Sequence, residues 1–183
     1  MFLKLFRKRS NQKYINKILN SKRSKISDRK IRSVGIILSL EEYKDYDKLK
    51  GIFTNFGVNE NQIKFITYVS HKDFQLNHWD DYFSPEDFGW NGNITNIALN
   101  EFINTRYDVL ISFYRIDNTD LNLVSAKSKA NFKIGISNFD QRINDFIIDV
   151  DIENIEVFRN ELEKYLKGLN KIFKFSTHIF LIL

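Results

Sequence analysis

An α/β fold in three layers is predicted from two observations. Short runs of β-branched and other apolar residues alternate with stretches whose apolar residues recur at helical spacing. The first apolar run, Val34 to Leu38, is continuous and rich in β-branched residues, the pattern of a strand buried on both faces. At 183 residues, 43% of them hydrophobic and 15% aromatic, the chain has material for one core.

The elements follow in order. Residues 1–25 read as a polar-rich helical segment, with Phe2, Leu5 and Phe6 in one apolar cluster and Tyr14, Ile15, Ile18 and Leu19 in a second. Ser21 to Lys30 is charged, aperiodic and reads as a linker. Val34 to Leu38 is the first strand. Ser39 is then a candidate helix N-cap, with Glu42 at capping-box spacing. Tyr46, Leu49, Ile52, Phe53 and Phe56 form one helix face, ended by Gly57. The second strand is Ile63 to Val69, and a long aromatic loop runs from Ser70 to about Asn93. A helix from Ile94 to Asn104 is expected to turn Ile94, Ile97, Ala98 and Phe102 inward. Asp108 to Tyr114 is the third strand, Leu121 to Ser128 a short helix and Phe132 to Ile136 the fourth strand. Phe146 to Val150 is the fifth, and a last helix runs from Asn154 to about Gly168.

About ten residues separate the fourth and fifth strands, short for a parallel crossover. Either the fifth strand is antiparallel or the connection crosses without a helix. The whole predicts a Rossmann- or flavodoxin-like domain at 31–172, three-layered, with a mainly parallel sheet of about five strands. A basic helical arm and linker (1–30) precede it, and an apolar C-terminal tail (173–183) follows.

Charge divides the chain unevenly. Residues 1–33 hold twelve Lys or Arg and one acid, Asp28, whereas the other 150 hold 16 basic and 22 acidic residues. A segment of +11 on a body of −6 points to a polyanionic partner, with three readings open. The arm contacts phosphate on RNA or a ribonucleoprotein, through Arg7, Lys8, Arg9, Lys13, Lys17, Lys22 and Arg23. It lies on an anionic membrane surface, with Phe2, Leu3, Leu5 and Phe6 inserted. Or it docks on the protein's own acidic body.

Several chemistries lose support from the residues. The chain has no cysteine, so disulfides, thiolate metal sites and cysteine nucleophiles drop out together. Ser39-Leu40-Glu41-Glu42 after the first strand has no phosphate-cradling glycines, and its acids would repel a nucleotide. His71 and His78, with Asp73, Asp80 and Asp81, match no metal-ligand spacing, and Asp149 with Asp151 reads as helix-start charge. No cofactor or metal is expected. No run reaches the roughly 18 apolar residues of a membrane span, and the first residues make a poor secretory signal. A cytoplasmic protein is expected.

If a ligand pocket exists, the carboxyl ends of the strands are its place, with Arg115, Asn118, Ser137 and Asn138 there and Trp90 from the neighbouring loop. That loop, residues 79–92, holds both tryptophans and the single proline. It reads either as a packed lid or as a stacking platform for a base or sugar. Its Asp87-Phe88-Gly89 triplet also occurs in protein kinases, but no other kinase element accompanies it.

The runs Phe83 to Trp90 (FSPEDFGW), Asp108 to Tyr114 and Leu121 to Ser137 (including NLVSAKSKANFKIGIS) resemble an uncharacterised family of small bacterial α/β proteins, a domain of unknown function. Lys13 to Lys17 and Asp145 to Asp151 fit it too. The resemblance reaches about Ile172, and the ending from Phe173 departs from it. It implies no activity, cofactor or catalytic residue. The expectation is a binding protein rather than an enzyme.

Overall fold

The computed structural model describes residues 2–21, 29–70 and 81–172. Five helices are α1 (Phe2–Leu19), α2 (Tyr46–Asn55), α3 (Ile97–Asn104), α4 (Thr119–Lys127) and α5 (Ile155–Gly168). Six strands are β1 (Val34–Ser39), β2 (Ile63–Tyr68), β3 (Tyr82–Phe83), β4 (Val109–Phe113), β5 (Phe132–Gly135) and β6 (Phe146–Ile147). They form one sheet in the order β3-β2-β1-β4-β5-β6, parallel throughout. This is the strand order of the Rossmann fold, with the chain reversing direction between β1 and β4.

β1 is central and fully buried, its Val34 opposite both Ile63 and Val109. Val34, Ile36 and Leu38 face α2 and α5, whereas Ile37 faces α1, α3 and α4. β4 divides in the same way, with Val109, Ile111 and Phe113 on one side and Leu110, followed just past the strand by Tyr114, on the other. That two-sided burial explains the unbroken apolar runs. Asp108 ties the strand starts together, accepting from the Arg32 and Ser33 amides at 2.9 and 3.0 Å.

Gly35 lets the second layer close on β1. A Cβ there would lie 2.6 Å from the Tyr107 ring and 3.1 Å from Phe102. Gly35→Ala is expected to lower stability by about 1–3 kcal/mol through overpacking, read as a fall in the urea midpoint.

One open alternative is decided and three expectations change. The fifth predicted strand, β6, is parallel to β5, and residues 136–145 cross without a helix. β5 has four residues, about 13 Å, which ten residues cover easily. A sixth strand, β3, lies inside the aromatic loop, pairing Tyr82 and Phe83 with Thr67 and Tyr68. Helix α2 is capped by Asp45, whose carboxylate accepts from the Lys48 amide at 3.1 Å, and not by Ser39. The Ser39 hydroxyl is buried, and Glu42 is drawn instead to the end of β4. Finally, Asn96 caps α3, so Leu99, Phe102 and Ile103 turn inward and Ile97 is exposed.

Candidate functional site

The crevice between the carboxyl ends of β1 and β4 is where sheets of this order take ligands. Here the chain fills it. Glu42 accepts from the Arg115 amide with both carboxylate oxygens, at 3.0 and 3.1 Å. Burial raises the Glu42 pKa, while the Arg115 and Ile116 amides and the Arg115 charge oppose that rise. The Arg115 guanidinium reaches over β5 and β6, where Nη1 donates to Val150 O at 2.6 Å, Asp149 Oδ1 at 2.9 Å and Ile136 O at 3.3 Å.

Two of the predicted rim residues meet on one carboxylate, since Asn138 Nδ2 donates to the other oxygen of Asp149 at 3.1 Å. The others disperse. Asn118 caps α4, accepting from the Asp120 amide at 2.8 Å. Ser137 borders a void of ≈ 10 Å³ with Tyr114 and Asn122, too small for more than one water. Trp90 belongs to the hairpin that holds α1. Beside Arg115 lies an open depression of ≈ 410 Å³, reaching Asp149, Asp151 and Asn154. Among the described residues no three His, Asp or Glu side chains come together as a metal site; His71, His78, Trp79, Lys22, Arg23 and the 173–183 tail lie outside those residues.

The basic arm has a definite place. Helix α1 packs along α4, with Asn11 and Ile15 fully buried and Ile15 joining the core. A hairpin formed by Phe88 to Ile94 clasps it. Asn91 and Gly92 turn this hairpin with φ of 53° and 73°, the left-handed pair of a type I′ turn, closed by the Asn93 amide on Trp90 O at 3.0 Å. Across the clasp, Arg7 Nη1 donates to Phe88 O at 3.0 Å and the Gly92 amide to Asn11 Oδ1 at 2.9 Å. Ser10 Oγ donates to Asn91 Oδ1 at 2.8 Å and accepts from the Asn91 amide at 3.1 Å. Lys127 of α4 closes the clasp from the other side, with Nζ 2.6 Å from Gly92 O and 5.7 Å from the Tyr14 ring centre. Burial lowers the Lys127 pKa. Lower down, Arg142 Nη2 donates to Asn16 Oδ1 at 2.7 Å.

These contacts leave the opposite side of α1 free. Phe2, Phe6, Arg9, Lys13 and Lys17 follow one another at spacings of three or four, so they share one line along the helix. All five are exposed, Phe2 by 78% and Phe6 by 52%. Among the described residues Lys4, Lys8, Arg9, Lys13 and Lys17 form no ion pair. Neutral groups therefore dominate the docking: Asn11, Tyr14, Ile15 and the hairpin backbone. Arg7 is the exception among the predicted phosphate contacts, being half-buried and engaged with Phe88.

Beneath α1 lies a strained electrostatic feature. Asp120, in the first turn of α4, is 1% exposed, and neither carboxylate oxygen has a hydrogen-bond partner among the described residues. Burial raises its pKa, and the charges of Arg7 and Lys8 pull it back. Between its unfolded and its raised folded pKa the folded chain holds more protons than the unfolded one. Stability is therefore greatest below that window and falls as pH rises through it. Asp120→Asn is expected to remove this fall and to stabilise the chain at neutral pH, as seen in urea midpoints measured from about pH 4 to 8.

Fold and site together define an α/β domain of Rossmann strand order whose strand-end crevice is self-occupied and whose exposed face is a clasped basic helix. The chain belongs to the DUF6913 family of unknown function, whose profile matches residues 7–169. Neither the curated proteins nor the solved structures yield a match. The sequence reading missed the clasp, although the Asn91-Gly92 pair between Phe88 and Ile94 is a strong hairpin signal.

Proposed function

We propose that this protein is a non-enzymatic binding protein whose helix α1 presents a cationic ridge to RNA or a ribonucleoprotein. The observation that carries this reading is the line Arg9, Lys13 and Lys17, exposed, unpaired among the described residues and held on a docked helix. Docking orders the ridge before any partner arrives, so binding does not have to order the helix. Phosphate is the complementary chemistry, since each cation seated on the backbone releases a condensed counterion.

An anionic membrane is the second reading, favoured by the exposed first turn with Phe2, Leu3, Leu5 and Phe6. A small-molecule or catalytic role for the strand-end rim draws less support, because Glu42 and Arg115 bind the chain's own backbone there. No helix among the described residues is long and apolar enough to cross a membrane. A reducing, cytoplasmic setting fits a chain without cysteine. The test is purification of the native protein at low salt. RNA is expected to co-purify and to leave at about 0.5 M salt, where counterion release no longer drives binding. Phospholipid alone in the preparation would favour the membrane instead.

A further inference from the structure

We infer that the ridge takes single-stranded rather than duplex RNA, with exposed rings at its upper end stacking unpaired bases; the inference rests on the phosphate-binding reading of α1. Two exposed aromatic rings lie on the first turns of α1, and a third, Trp90, is carried by the hairpin that clasps the helix. Phe2 and Phe6 continue the line of Arg9, Lys13 and Lys17. Trp90, 49% exposed, adjoins Asn91, which bonds Ser10 one turn below Phe6. Aromatic rings beside a track of cations are the two components of single-strand recognition, the cations following phosphates and the rings accepting bases.

A duplex would use the cations alone. Bases in an A-form helix are stacked on one another and its deep groove admits few side chains, so the rings would stay in water. An anionic bilayer would take the rings of the first turns and attract the cations to its headgroups, but it would find nothing apolar to insert beyond Phe6. Helices that lie in a membrane carry an apolar stripe along their length. The outer face of α1 has apolar residues only at Phe2, Leu3, Leu5 and Phe6; from Arg9 to Lys17 its exposed residues are all polar or charged. A single strand satisfies both parts of the ridge.

The test uses the full-length chain carrying Trp79→Phe, so that Trp90 is the sole tryptophan and is excited selectively at the red edge, where tyrosine does not absorb. Its emission is followed with a uridine-rich 20-mer, with a duplex RNA of the same length, and with phosphatidylglycerol vesicles. The expected result is Trp90 quenching by the single strand and affinity at least tenfold above that for the duplex. Phe6→Leu should lower single-strand affinity several-fold and Phe6→Tyr should preserve it, with duplex affinity unmoved by either. Phe6 is exposed, so its two variants leave the fold in place, and every sample compared carries the same Trp79→Phe background. Equal affinity for both RNAs without quenching overturns the inference and leaves the cationic ridge standing. Absence of RNA binding at low salt overturns both, as does Trp90 emission that responds to the vesicles and to neither RNA.

Discussion

Gly92→Ala is expected to lower stability by about 2–4 kcal/mol and to loosen α1 from the body. Two costs combine. Gly92 has φ of 73°, where a side chain costs roughly 1–2 kcal/mol. A Cβ would also sit within contact distance of the Tyr14 ring, which Lys127 flanks, and such overpacking costs about 1–3 kcal/mol. In a domain of this size the melting temperature should fall by roughly 5–15 °C. Trypsin should cut faster at Arg9, Lys13 and Lys17, because a released helix becomes a substrate. Adding Tyr14→Ala should recover part of the loss, since the double variant no longer contains the clash. An unchanged melting temperature with unchanged cleavage would mean that the hairpin does not hold α1.

The triple variant Arg9→Ala, Lys13→Ala, Lys17→Ala is expected to abolish most RNA binding while leaving the fold intact. The three side chains are exposed and form no ion pair among the described residues, and alanine is a good helix former. Each lost phosphate contact on a single strand lowers the salt exponent by about 0.7. Three lost contacts weaken binding by roughly 500-fold at about 50 mM salt, and by roughly 30-fold at about 0.2 M. Titration of a labelled RNA at both salts checks the two figures together. A loss that is the same at both salts would point to a damaged fold rather than to removed charge.

Much of the fold was legible because burial on both faces writes strands as unbroken apolar runs. Val34 to Leu38 and the third strand within Asp108 to Tyr114 are the clearest cases, both buried along their length, whereas Lys64 breaks the run of the second strand where it is exposed. β3 escaped because two residues, Tyr82 and Phe83, carry no period, and their aromatic neighbours suggested a loop. The start of α2 was misplaced because Ser39 and Glu42 share the spacing of a capping box while tertiary contacts claim Glu42 for β4. Charge counting separated residues 1–30 from the domain, whereas the docking of α1 depends chiefly on Asn11, Tyr14 and Ile15, which carry no charge. The clasp was present as Asn91-Gly92, but its partner lies 81 residues away from Ser10 and Asn11, and no local pattern links the two. Among the rim residues, side-chain direction decided the outcome: Arg115 bends onto the backbone of its neighbours, which spacing does not encode.

The most direct test is the salt dependence of RNA binding by the unaltered protein. Among the described residues α1 offers five exposed cations, Lys4, Lys8, Arg9, Lys13 and Lys17, of which the ridge line supplies three. The logarithm of the association constant against the logarithm of salt should therefore fall with a slope between about −2 and −3.5. A slope near zero, or no measurable binding at about 50 mM salt, would contradict a cationic ridge that grips phosphate.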